Sequence, residues 1–226
     1  MRIVNCKSCR LYFNPYLMFD IDNFYLFLTV SILINLSPGP DMIYTAARSL
    51  SQGIKAGVFS ALGIFVGCLF HITAAVFGLS KVIEESVLLF SIIKYAGAAY
   101  LIYLGIRSFL NKKKTKREIE ALPILTSRKI FFQGMLTNIL NPKVAIFFLS
   151  FLPQFINPQS IYLKEQIAFL GIWFDVQGTA TLIVVACTVG AFKNILQKNT
   201  AIWNWQQKIT GLILFGLGLK MFFSKK

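Results

Sequence analysis

The sequence predicts an all-α polytopic membrane protein with six transmembrane helices, arranged as two inverted three-helix repeats. Three observations predict it. Of 226 residues, 56% are apolar and 14% charged, against about 25% charged in a soluble domain. The charges leave long clear runs: none stands between Lys55 and Lys81, and only Asp175 interrupts Gln166 to Lys193. A helix needs about 20 apolar residues to cross a bilayer core. Finally, two proline-bearing interruptions occur at matching places in the two halves of the chain. With a mean hydropathy of +0.64, this composition excludes a soluble domain, a disordered chain, a collagen and a coiled coil.

Charge-free runs and breakers mark the elements in order. The first helix spans about Asn23 to Ala47, with Asp20 or Asp22 as its N-cap. The second spans Ala56 to Leu79, and the third Val87 to Phe109 with a single charge, Lys94. The fourth spans Ile130 to Ile156, the fifth Gln166 to Phe192 and the sixth Ile209 to Phe223. Near the end of the sixth, the long side chain of Lys220 can snorkel to the surface. Residues 18–110 form the first half, 111–129 a basic linker and 130–226 the second half. Residues 1–17 carry Arg2, Lys7 and Arg10 without the apolar core of a signal peptide. Translation is expected to start at Met18, and the Cys6–Cys9 pair would then not exist in the cell.

The net charge of +14 would suggest nucleic acid in a soluble protein. In a polytopic chain it reports orientation instead, because cytoplasmic loops collect Lys and Arg. The partner of this chain is therefore the lipid bilayer and not nucleic acid. The loops after helices one, three and five hold thirteen Lys and Arg, eight of them between Arg107 and Lys129. The other side holds five, or eight with residues 1–17. The odd loops are thus expected in the cytoplasm and both termini outside.

The interruptions carry the chemistry. They read Ser37-Pro38-Gly39-Pro40-Asp41 and Asn141-Pro142-Lys143, at an offset of 104 residues. Ser and Asn are strong N-caps, and Pro is favoured at the first helical position. Each site reads as a helix start inside an apolar run. Such a break strands backbone groups, which lipid does not tolerate unless the backbone lines a cavity. Matched breaks in two halves point to a transporter substrate site. Two ordinary proline kinks are the blander alternative. A helix start presents free N–H groups to a carboxylate, whereas carbonyls freed by Pro suit an ammonium. Asp41 and Lys143 add charge of either sign, and an α-amino acid has both groups on one carbon.

Other polar residues within the spans are candidates by position. Asp175 and Lys94 are coupling candidates, Asp175 for protons or for pairing with Lys94 or Lys143. His71, the only histidine, can transfer protons or serve as a hydrogen-bonded core residue. One His without clustered carboxylates gives no transition-metal site, and no catalytic constellation or phosphate loop is present. No cofactor and no enzymatic activity are expected. Gly63 and Gly67 form GxxxG, a close-packing motif.

These residues resemble the LysE/RhtB family of bacterial amino-acid exporters. Asn35-Leu36-Ser37-Pro38-Gly39-Pro40 is similar to its N-terminal signature, followed by Gly53, Gly57, Gly63 and Gly67. Lys94 to Leu101 with Gly105 is similar to its third-helix pattern. Gly134, Asn138-Ile139-Leu140-Asn141-Pro142-Lys143 and Pro153-Gln154-Phe155 are similar to its fourth-helix pattern. Asn138 thereby joins the substrate-binding set. The likeness covers roughly residues 19–223, and residues 1–17 depart from it. It implies a six-helix inner-membrane exporter driven by proton exchange. The implied substrates are homoserine, homoserine lactone, threonine, leucine or lysine. Two other classes are weighed beside it. A cation or metal-ion exporter has few Cys, His and acidic residues to work with. A membrane thiol–disulfide carrier would need Cys68 and Cys187. Which amino acid is carried stays open, as does the oligomeric state, with a homodimer as one candidate.

Overall fold

A computed structural model describes residues 23–79 and 123–191, together with isolated positions within 88–106 and 208–222. Six α-helices and no strands occur among the described residues: α1 (Phe24–Leu36), α2 (Pro40–Gln52), α3 (Ile54–Ala74), α4 (Ser127–Ile139), α5 (Pro142–Ile146) and α6 (Leu163–Ala191). The isolated positions are helical, and the Tyr95 and Phe222 rings meet edge-on at 5.7 Å. Residues 1–22, the linker to residue 122 and Lys94 lie outside the described residues. So do most of the third and sixth predicted helices.

The first predicted helix is two. Prolines 38 and 40 remove backbone donors, and α1 and α2 meet at a 49° bend. The fourth is likewise broken before Pro142, with a 43° bend. Beyond it, α5 relaxes into a π-helical turn (Phe147–Phe151) and a 3-10 turn (Leu152–Phe155). The break stands where the sequence reading put it, and the π-helical and 3-10 turns beyond it are additional to that reading. The Ile54–Gly78 stretch and α6 are each long and apolar enough to cross a membrane, and counting each bent pair as one span brings the total to four.

The first loop is far shorter than expected. Helix α2 runs on to Gln52 and α3 starts at Ile54, so Gly53 alone makes the turn, with φ at 86°. That left-handed conformation costs a residue with a Cβ and not glycine.

Helices α3 and α4 cross at contact distance. A Cβ on Gly63 would lie 2.0 Å from the Phe131 carbonyl, and one on Gly134 would lie 2.6 Å from that of Ser60. The GxxxG of α3 is thus a crossing point. At one end of the bundle, Phe27, Phe147, Phe148, Phe151, Phe155 and Phe174 pack into a single apolar core with residues of α6. The Phe147 and Phe174 rings stack at 3.8 Å.

Candidate functional site

The two breaks face each other, and each is tied to the charged residue of the other. Asp41, just past the first break, accepts at Oδ2 from Asn138 Nδ2 (2.9 Å) and Asn141 Nδ2 (2.8 Å) of the second. Lys143, just past the second break, donates from Nζ to the Ser37 carbonyl (2.8 Å) and to Ser37 Oγ (3.2 Å) of the first. Local sequence explains both halves of the exchange. Asn141 caps its helix by accepting from the Lys143 N–H at 3.0 Å, which leaves its amide nitrogen for Asp41. The Ser37 carbonyl has left the α1 ladder at the break and so accepts the ammonium.

The capping role expected of Ser37 is not found. Gly39 stands at the cap position of α2, without a side-chain bond. Ser37 closes α1 instead, donating its N–H to the Ile34 carbonyl. Two prolines in four residues hold the chain extended, so the helix restarts three residues beyond Ser37. Gly39 serves by being small, since a Cβ there would lie 3.3 Å from Lys143 Nζ. At the start of α1, Asn23 takes the cap position, while Asp20 and Asp22 lie outside the described residues.

Between the breaks lies a chamber of about 40 Å³, room for a few waters at roughly 10–15 Å³ each. Its lining includes Ser37, Gly39, Asp41, Asn138, Asn141 and Lys143. Cys68 of α3 joins them, with Asp175 and Thr179 of α6. The chamber is polar beyond what its own bonds consume. Asp41 Oδ1, Asn138 Oδ1, Asp175 Oδ2 and Thr179 Oγ1 are buried without a hydrogen-bond partner among the described residues. In an apolar interior each such atom costs about 1–3 kcal/mol, so a polar guest is favoured there.

Asp175 therefore shares the chamber with Asp41. Lys143 donates to Ser37 and not to Asp175. His71 does not line the chamber. It lies behind it, with Nε2 2.9 Å from the Asn138 carbonyl and its ring stacked on Phe148. A carbonyl only accepts, so Nε2 carries the hydrogen. Pro38, Pro40 and Pro142 shape the breaks and offer no side-chain polar group. Of the cysteines, Cys68 is buried and Cys187 exposed, both free. Cys6 and Cys9 lie outside the described residues.

Sequence reasoning missed Thr179, one turn beyond Asp175, and Asn35, whose Nδ2 donates to the Phe174 carbonyl at 3.2 Å. It also passed over Arg48. That guanidinium is buried and donates to Gln52 Oε1, the Pro123 carbonyl and Gln133 Oε1. The available signal was a cation seven residues after Asp41, on the same helical face.

The chain is similar to known membrane and efflux proteins. A family model described as LysE type translocator matches residues 32–225. The chain is 34% identical to an uncharacterised membrane protein, YrhP of Bacillus subtilis (strain 168), over 86% of this chain and 95% of that protein. It is 31% identical to the homoserine/homoserine lactone efflux protein of Salmonella typhimurium, over 78% of this chain and 82% of the relative. It is 28% identical to the leucine efflux protein of the same organism, over 75% of this chain and 76% of the relative. No solved structure matches the chain.

Proposed function

The chain belongs to the LysE type translocator family, and from that premise we propose that it exports small amino acids or their derivatives from the cytoplasm by proton antiport. It is an integral membrane protein, a transporter and not an enzyme. The observation that carries the substrate reading is the crossed pair of bonds: an acidic and a basic side chain line one buried chamber, each bonded among the described residues to neutral groups of the other break.

A zwitterion matches that arrangement. Its ammonium would take the unpartnered Asp41 Oδ1 and Asn138 Oδ1. Its carboxylate would draw Lys143 off Ser37, toward the positive end of α2. Asn141 would hold Asp41 in place throughout. The chamber is too small for any amino acid as it stands, so binding requires the halves to move apart, which is the first step of alternating access. Asp175, unpartnered at Oδ2 in the same chamber, is the proposed proton carrier. The proposed setting is a bacterial inner membrane, with six spans in two inverted halves, the basic linker inside and both termini outside. The efflux names of the relatives support homoserine, homoserine lactone or leucine as the substrate class.

The test is efflux from cells without their own exporters, loaded with dipeptides and assayed with and without a protonophore. Accelerated release of one amino-acid class that stops with the proton gradient is expected. Asp175→Asn should keep downhill release but lose its response to the gradient. Control-rate release of every amino acid, with insertion verified, would sink the proposal.

A further inference from the structure

Six buried side-chain atoms lack a hydrogen-bond partner among the described residues. Four face the chamber. The other two, Thr45 Oγ1 and Arg48 Nε, lie on α2 outside it. With Asp41 they occupy positions i, i+4 and i+7, one face of the helix. Together they form a polar line running about 10 Å along α2 at 1.5 Å per residue. Helices buried in a bilayer do not strand polar groups in this way without something polar to meet them.

Among the described residues the line ends in a charge with no acidic partner. Arg48 is 5% exposed. Its partners among the described residues are all neutral: Gln52 Oε1 at 3.3 Å, the Pro123 carbonyl at 3.0 Å and Gln133 Oε1 at 3.0 Å. The Tyr44 ring lies 5.5 Å from the guanidinium. One of these contacts, to the Pro123 carbonyl, ties down the end of the basic linker. Gln52 completes the tie, donating to the Leu125 carbonyl at 2.8 Å and accepting from the Leu125 N–H at 3.0 Å. A guanidinium fork is shaped for a carboxylate, and among the described residues it holds neutral carbonyl and amide oxygens in place of one.

Resting on the exporter reading, we infer that Arg48 is a second, cytoplasm-side binding subsite for the carboxylate of the exported amino acid, joined to the central chamber along Thr45. A carboxylate arriving there displaces the Pro123 and Gln133 oxygens from the fork. That same exchange loosens the linker strap, so occupancy and opening are coupled. The substrate then passes along α2 to Lys143 and the chamber.

The test compares homoserine, threonine, leucine and lysine, each beside its amide, which keeps the side chain and amine but lacks the carboxylate. Efflux of each is measured in proteoliposomes containing the full chain. The quantity read is the preference, the ratio of kcat/KM for acid over amide. Arg48→Gln should lower that preference about tenfold or more, the effect of one lost charge-assisted contact, while Arg48→Lys should retain most of it. Gln133→Glu offers the fork a resident carboxylate and should lower the preference likewise. It also decides the matter if Arg48→Gln fails to insert. Acid and amide falling together, or neither changing, would overturn the inference and leave Arg48 as a tie for the linker. A wild type that releases none of the four acids overturns the exporter reading itself.

Discussion

Asp41 keeps one oxygen on two amide donors and leaves the other empty. Removing its charge should therefore affect transport more than folding. Asp41→Asn is expected to cut export ten- to hundredfold, from loss of a charge-assisted bond worth about 1.5–3 kcal/mol. The check is efflux at equal protein level in the membrane, and wild-type export by the variant would remove Asp41 from the site. His71 should behave oppositely. It donates to the Asn138 carbonyl from behind the chamber, so His71→Gln is expected to lower thermal stability by about 1 kcal/mol, the net worth of a hydrogen bond. Gradient dependence of export should survive in that variant, and its loss would make His71 a coupling residue. The charges flanking the breaks were legible in the sequence because each interrupts an apolar run. Arg48 was not, because a cation near the end of a predicted span reads equally well as a loop residue. Only packing against Gln133, 85 positions away in the chain, shows it buried.

The elements repeat this pattern of partial legibility. Both breaks were readable from proline and from cap residues, but the place where α2 restarts was not. Ser37 has the right chemistry for a cap, yet the extended Pro38–Gly39 stretch moves the start to Pro40. The one-residue turn at Gly53 was hidden for a related reason, since the sequence there is polar enough to suggest a loop. The GxxxG of α3 promised only close packing, and its partner became visible only in three dimensions. That partner yields a sharp prediction. Gly63→Ala would push a methyl into the Phe131 carbonyl, whereas Gly78→Ala meets nothing within 4 Å. The first should destabilise the α3–α4 crossing by about 1–3 kcal/mol, the usual range for overpacking, and the second should be near neutral. Thermal unfolding of the two variants in detergent measures the difference. Equal melting temperatures would mean that the two helices do not cross at Gly63.

Across the whole molecule, the two ends of the chamber are closed by different physics. Toward Phe27 and Phe155 the closure is a stack of buried aromatic rings. Toward Arg48 it is a set of hydrogen bonds to Pro123, Leu125 and Gln133. Wetting one buried Phe costs about 1.5–3 kcal/mol, whereas trading one protein hydrogen bond for water costs a net ~0.5–1.5 kcal/mol. With six rings on one side and four bonds on the other, the polar end is the easier to open. In the proposed orientation that end faces the cytoplasm, which is where an exporter must wait for its load. The substrate-free protein should thus open inward far more often than outward. In a background with all four cysteines replaced, Thr45→Cys should react with a membrane-impermeant maleimide applied to inside-out vesicles. Phe151→Cys should stay unreactive in right-side-out vesicles until substrate and a proton gradient drive the cycle. The reverse pattern would mean either that the aromatic end opens first or that the chain sits the other way up. Because the thirteen cations of the odd loops predict the orientation independently, a C-terminal reporter read from each side of the membrane separates those two explanations.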